Sequence, residues 1–150
     1  MLEVGNGKLT LAENKSHFTL WCMMAAPLLM GNDIVNMKKE HLDILTNKKV
    51  IAIDQDALGK QAKRIVKGAV DVLVRPLADG GIALCMFNKG KSKKKYAFDL
   101  SNLLTEEYVK GFAGEEYEAE DLWTGEKQTT NKLAAKLDPH GIAVWKLMKK

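Results

Sequence analysis

Hydrophobic positions along the chain change their period near residue 58. Thr10-Leu11-Ala12-Glu13 has the form of a capping box, in which the Thr10 hydroxyl accepts from the Glu13 amide and the Glu13 carboxylate reaches back. A helix is therefore predicted to start there. Leu11, Phe18, Trp21, Cys22 and Ala25 share one of its faces, and Leu20, Met23 and Met24 widen the stripe until the second half is apolar nearly all round. Such a helix end needs cover on both sides. Pro27-Leu28-Leu29-Met30, closed by Gly31-Asn32-Asp33, reads as a short strand buried on both faces of a parallel sheet. A second helix over Lys38 to Leu45 would bury Leu42 and Leu45. Asn47-Lys48-Lys49-Val50-Ile51-Ala52-Ile53 is another short capped apolar segment. Helix, buried strand, helix is the order of consecutive β/α pieces.

From about Ala62 the period is two. Val70, Val72 and Val74 alternate with Asp71, Leu73 and Arg75, and Asp79-Gly80-Gly81 turns the chain into Ile82 to Phe87, a hairpin pattern. Lys95 to Leu100, Tyr117 to Trp123, Leu133 to Leu137 and Ile142 to Met148 are further predicted strands. Short strands at this spacing indicate an antiparallel sandwich. With about ninety residues and alternating strands, residues 62–150 are expected to fold alone, while 1–57 are not.

Composition changes this picture only at its margins. The 150 residues are 46% hydrophobic and 28% charged with net charge +4, ordinary for a globular chain. The basic excess belongs to the second part: residues 1–57 hold six Lys and seven Asp or Glu. Cys22 and Cys85 sit inside apolar runs and read as buried thiols, which excludes a disulfide framework. The longest apolar run, Leu20 to Met30, is too short for a membrane span of about 20 residues and contains Pro27. The first residues have no apolar h-region, so no export signal is read and a cytoplasmic setting is expected.

Candidate chemistry is sparse. Asp54 and Asp56 are two apart, on opposite sides of either a strand or a helix, and read as caps and turn bonds. Asn32 and Asp33 close the buried strand, at the end where barrels carry their active-site loops. His17, His41 and His140 share no metal-ligand spacing, so no metal or cofactor is expected. Lys89, Lys91, Lys93, Lys94 and Lys95 form a basic run next to Tyr96 and Phe98, but at an expected hairpin tip and without an RNA-binding motif it reads as a solvated turn, not a nucleic-acid surface. Asn14-Lys15-Ser16 matches a glycosylation sequon inside a predicted helix and reads as chance. Trp123 and Trp145 are placed on sandwich strands facing inward.

Several stretches together resemble the C-terminal half of the α-galactosidase family of glycoside hydrolases (melibiase-type, family 27). They are Met1-Leu2-Glu3-Val4-Gly5-Asn6-Gly7; Ser16-His17-Phe18-Thr19-Leu20-Trp21; Met24-Ala25-Ala26-Pro27-Leu28-Leu29; Gly31-Asn32-Asp33; Leu45-Thr46-Asn47; Val50 to Asp56; Leu58-Gly59; Arg75-Pro76-Leu77; and Pro139-His140-Gly141. Ala57 departs from the family, which usually has Pro there. The resemblance implies the last part of a (β/α)8 TIM barrel in residues 1–57, followed by an antiparallel Greek-key β-sandwich in 58–150. It implies retaining hydrolysis of terminal α-galactosides by two aspartates, a nucleophile and an acid/base. The motifs carrying both are absent here, so the chain alone is expected to be inactive. Only Met1 maps to a sugar-pocket position, part of its apolar wall; Asn32 and Asp33 are weaker binding candidates.

The expected partners are therefore α-galactoside sugars, bound only with the rest of the barrel. Trp21, Met23, Met24, Leu28, Leu29 and Met30 cannot all be covered by two helices and one strand, which points to self-association or a complementary barrel fragment. The alternative is a free-standing carbohydrate-binding or protein-interaction sandwich module.

Overall fold

The computed structural model describes residues 1–150. Three helices, α1 (Leu11–Met23), α2 (Lys39–Leu45) and α3 (Lys48–Asp54), come first. Eight strands follow: β1 (Lys63–Val66), β2 (Val70–Pro76), β3 (Ile82–Asn88), β4 (Lys94–Asp99), β5 (Tyr117–Asp121), β6 (Lys127–Thr130), β7 (Lys132–Leu137) and β8 (Ile142–Lys149). Two short 3-10 turns, Leu100–Leu104 and Lys110–Phe112, lie between β4 and β5. One antiparallel sheet runs β1-β2-β3-β8-β5-β6, and β4 pairs antiparallel with β7 in a second.

Side-chain alternation sends two different sets of residues to the two faces of the large sheet. Val70, Val72, Val74, Ile82, Leu84, Met86, Trp145 and Leu147 meet Phe98, Leu133 and Leu137 of the small sheet in the first core. Leu73, Ala83, Cys85 and Val144, with Leu77 and Leu122 from the flanking turns, meet Phe18, Cys22, Met23, Ile44, Val50 and Ile53 of the helices in the second. The molecule therefore has three layers, helices on sheet on sheet. Each large apolar side chain so buried contributes roughly 1.5–3 kcal/mol. Because the large sheet is covered on both sides, β2 is buried along its whole length. One of the two faces of the large sheet is thus covered by residues 1–57.

The helix starts follow their capping residues. Glu13 N donates to Thr10 Oγ1 at 3.2 Å and Thr10 N to Glu13 Oε2 at 2.8 Å, closing the capping box. Asn47 Oδ1 accepts from Lys49 N and Val50 N, so the segment after it is helix α3. In α2 the buried residue is Ile44, whereas Leu42 is exposed.

Four expectations need correction. Pro27 to Met30 is not a strand buried on both faces: it makes a single parallel bridge, Leu2 to Met30, and Leu29 is 62% exposed. A parallel strand is buried only between neighbours, and here it has one. The lysine run is not a hairpin tip but the crossing from β3 in the large sheet to β4 in the small one. Trp145 does face inward from β8, into the core between the sheets, but Trp123 sits in the β5–β6 turn instead of on a strand. Strands β1 and β6 lie outside the predicted elements, because both are short, largely exposed edge strands without an apolar alternation to betray them.

Candidate functional site

The N-terminal segment and the chain after Pro27 run side by side. Leu2 N donates to Leu29 O at 2.7 Å, and Gly31 N to Leu2 O at 2.9 Å. Leu2 and Val4 point into the helix-side core and are buried. Helix α1 holds this segment through polar side chains. Glu3 N donates to His17 Nε2 at 3.0 Å, and Gly5 N to Asn14 Oδ1 at 2.9 Å. The Asn14 amide donates in turn to Leu9 O and Thr10 O. Gly5 has φ +84°, and a Cβ there would lie 2.8 Å from His41 Nδ1, so only glycine fits. Asn6 Nδ2 ties the loop to Glu3 Oε2 and Gly31 O.

This arrangement brings Met1, Asn32 and Asp33 to one rim. Met1 is largely exposed beside Gly31, where an added Cβ would stand 3.2 Å from the Met1 Cβ. Asn32 Nδ2 donates to Val4 O, while its Oδ1 is buried without a partner. Asp33 accepts from Val35 N at 3.1 Å, Asn36 N at 3.2 Å and Asn36 Nδ2 at 2.9 Å. Those bonds, the Asn36 side chain foremost, hold its carboxyl below the usual aspartate range. Asp33 is thus kept ionised and unsuited to general acid work at neutral pH. Leu29, Ile34 and Val35 line the same rim as exposed apolar side chains, Val35 at 87%.

The remaining titratable groups are not assembled for chemistry. Asp56 accepts from Leu58 N and Ala78 N, tying the end of α3 to the β2–β3 turn. Asp54 is buried, which raises its carboxyl above the ordinary value against the lowering effects of Gln55 and Arg75. Arg75 is fully buried and donates from Nη1 to Cys22 O at 2.9 Å; burial pulls its guanidinium below the ordinary value, opposed by Asp56 and Asp54. This clasp escaped the sequence reading, in which Arg75 was one more polar position of an alternating strand. His17 packs edge-on against Trp21, with burial lowering its imidazole and Glu3 opposing the shift. His140 Nδ1 lies 2.8 Å from Glu13 Oε1, in a different element from His17 and His41. No three His, Cys, Asp or Glu side chains are grouped to hold a metal ion.

Within the basic run, Lys89 pairs with Asp71 at 3.0 Å and Lys93 lies 3.7 Å from Asp138. Asn14 is only 1% exposed, so its sequon is closed by packing in this fold. Cys22 and Cys85 are free and buried, with thiols pushed up to about 12 by burial. No helix is long and apolar enough to cross a membrane.

A layer of short helices on an antiparallel sandwich, with a single parallel bridge beside it, defines the class as a helix-covered β-sandwich. Residues 67–147 match the family described as the alpha galactosidase C-terminal beta sandwich domain, and residues 1–56 match that of alpha galactosidase A. The chain belongs to the α-galactosidase family of glycoside hydrolases, family 27, and corresponds to its C-terminal part. Alpha-galactosidase A of Cellvibrio japonicus is 38% identical over 153 residues, a match covering 98% of this chain and 38% of the relative. Alpha-galactosidase of Cyamopsis tetragonoloba is 33% identical, with 98% and 35% covered. The crystal structure of alpha-galactosidase I from Mortierella vinacea superposes with a TM-score of 0.88 at 30% identity, covering 100% of this chain and 38% of that one. The chain thus spans little more than a third of the length of these relatives. The fold class is the one implied by the family resemblance, the last part of a TIM barrel followed by an antiparallel β-sandwich.

Proposed function

We propose that this chain supplies barrel closure and the buttressing sandwich of a retaining glycoside hydrolase that removes terminal α-linked galactose from galactosides. Residues 1–57 are the last β/α elements of the barrel in this reading, residues 58–150 the accessory domain, and both catalytic aspartates belong to the rest of the barrel. The observation that carries it is the bridge between Leu2 and Met30, a parallel pairing with no further strand on either side, next to the exposed side chains of Met1, Leu29, Ile34 and Val35. Parallel pairs are stable when neighbouring strands and helices cover them. Met1, Asn32 and Asp33 would then stand at the C-terminal mouth of the barrel, where such folds bind substrate, with Met1 in the apolar wall of the sugar pocket. α-Galactosides are bound only when the barrel is complete. Left uncovered, the rim drives self-association.

Sedimentation tests the partner half of this reading. The chain should associate with itself over a hundredfold concentration range, and the part of the Cellvibrio japonicus protein outside the matched region should replace that contact with a one-to-one complex. Leu29→Glu and Val35→Glu should weaken both. A concentration-independent monomer that ignores the complementary part contradicts the reading.

A further inference from the structure

We propose that the sandwich carries a groove for a short neutral oligosaccharide, separate from the strand-end rim and independent of hydrolysis. A cavity of about 670 Å³ opens where the β5–β6 turn, one edge of β7 and the start of α1 meet. That volume is in the range of small-molecule sites. Trp145 forms its nearly buried floor and Trp123 one wall. The Trp123 ring is held in place, because its Nε1 donates to Thr19 Oγ1 at 3.1 Å and its backbone N–H to Asp121 Oδ1 at 2.8 Å. Lys15 Nζ stands 5.3 Å from the ring centroid, the position a ligand stacking on that ring would take over.

The polar lining selects among ligands. Lys15, Lys127 and Lys136 line it together with Asp121, Glu126 and Asp138, three cations and three anions. A phosphate or nucleic acid needs a net positive wall, and an acidic peptide does too, so the balance excludes both. It suits a ligand whose groups both donate and accept. Asp121 engages only Oδ1 in protein hydrogen bonds, and Gln128 adds an amide at the wall that offers both roles. Pyranose rings fit these demands, with C–H faces for an indole and hydroxyls for carboxylate, ammonium and amide. The competing occupant is an extended peptide adding to the unpaired edge of β7. Lys132 and Lys136 punctuate that strand, the device by which edge strands resist such addition.

Amide and indole NMR of the full chain, titrated separately with raffinose and with maltotriose to millimolar concentrations, tests the groove. Saturable shifts are expected with at least one sugar at the Trp123 indole and at the amides of Gln128, Ala134 and Ala135, with the Trp21 indole unmoved. Gln128→Ala and Trp123→Phe should each weaken binding about fivefold or more. Gln128 is exposed, so its variant keeps the test valid if Trp123→Phe unfolds. No groove shift with either sugar, shifts confined to the rim at Met1 and residues 29–36, shifts unchanged in Gln128→Ala, or tighter binding of an uncharged alanine peptide along β7 would each overturn the proposal. Catalysis plays no part in this readout, so failure here leaves the hydrolase reading standing, and the reverse holds.

Discussion

Replacing Arg75 tests how the helical layer is fastened to the sheet. Its guanidinium, wholly buried on β2, reaches the Cys22 carbonyl near the end of α1, where it joins the Ala25 amide as a second donor. Nε and Nη2 have no partner, and the charges that favour its ionised form are Asp56 and then Asp54. Arg75→Ala opens a cavity and leaves buried Asp54 less compensated, and truncating a large buried side chain to Ala costs about 2–5 kcal/mol. Arg75→Met keeps the volume of the stem, and the Cys22 carbonyl still accepts from Ala25 N, so its expected cost is smaller, about 1.5–3 kcal/mol for one lost hydrogen bond from a charged donor. The pH dependence has a definite sign. The Asp54 carboxyl is raised above its unfolded value, so its favourable contribution is present below the ordinary aspartate range and lost as pH rises through the raised native value. Without Arg75 it rises further. The Arg75→Met penalty should therefore be larger at neutrality than about two pH units lower. Adding Asp54→Asn should recover part of it. Urea unfolding followed by tryptophan fluorescence measures both. An Arg75→Ala loss below about 1 kcal/mol, or a Met penalty indifferent to pH and to Asp54→Asn, would refute the clasp.

Three further outcomes follow from the packing. Asn14→Ala strands the Gly5 amide and should cost about 1–3 kcal/mol, read as a lower thermal midpoint; an unchanged midpoint would mean the N-terminal segment is held by other contacts. Cys22 and Cys85, with thiols pushed up to about 12, should react with a disulfide reagent only as fast as the chain unfolds, whereas rapid labelling of the native protein would show the helix-side core to be open. Residues 62–150 made alone would expose Leu73, Ala83, Cys85, Val144 and Arg75, and should bind a hydrophobic dye and self-associate; a dye-free, cooperatively melting monomer would show that the sheet needs no helical cover.

Much of the fold could be read from residue pattern, and the reasons for the failures are physical. The Thr10 to Glu13 box and the alternation in β2, β3, β7 and β8 are local signals, and the elements stand where they point. Which face is buried is not local. Asp71 and Arg75 look like the solvent side of β2, yet both are buried, Arg75 against the Cys22 carbonyl of α1 and Asp71 among Arg64, Lys89 and the Gly68 amide. Pro27 to Met30 has the composition of a buried strand, but burial depends on neighbours, and beyond Leu2 there are none. The rim candidates Met1, Asn32 and Asp33 were legible from strand-end position and family resemblance. The groove at Trp123 was not, because it joins a β-turn to a helix start more than a hundred residues away.

We propose, and this is what most needs testing, that the chain completes an α-galactoside-cleaving barrel without holding its catalytic groups. Hydrolysis of nitrophenyl α-galactoside tests it most directly, measured for the pure chain, for the complementary part of the Cellvibrio japonicus protein, and for their mixture. The account predicts background rates for each alone and turnover in the mixture that Leu29→Glu in this chain reduces. Turnover by the chain alone would contradict it, as would a stable complex of the two parts that remains inactive.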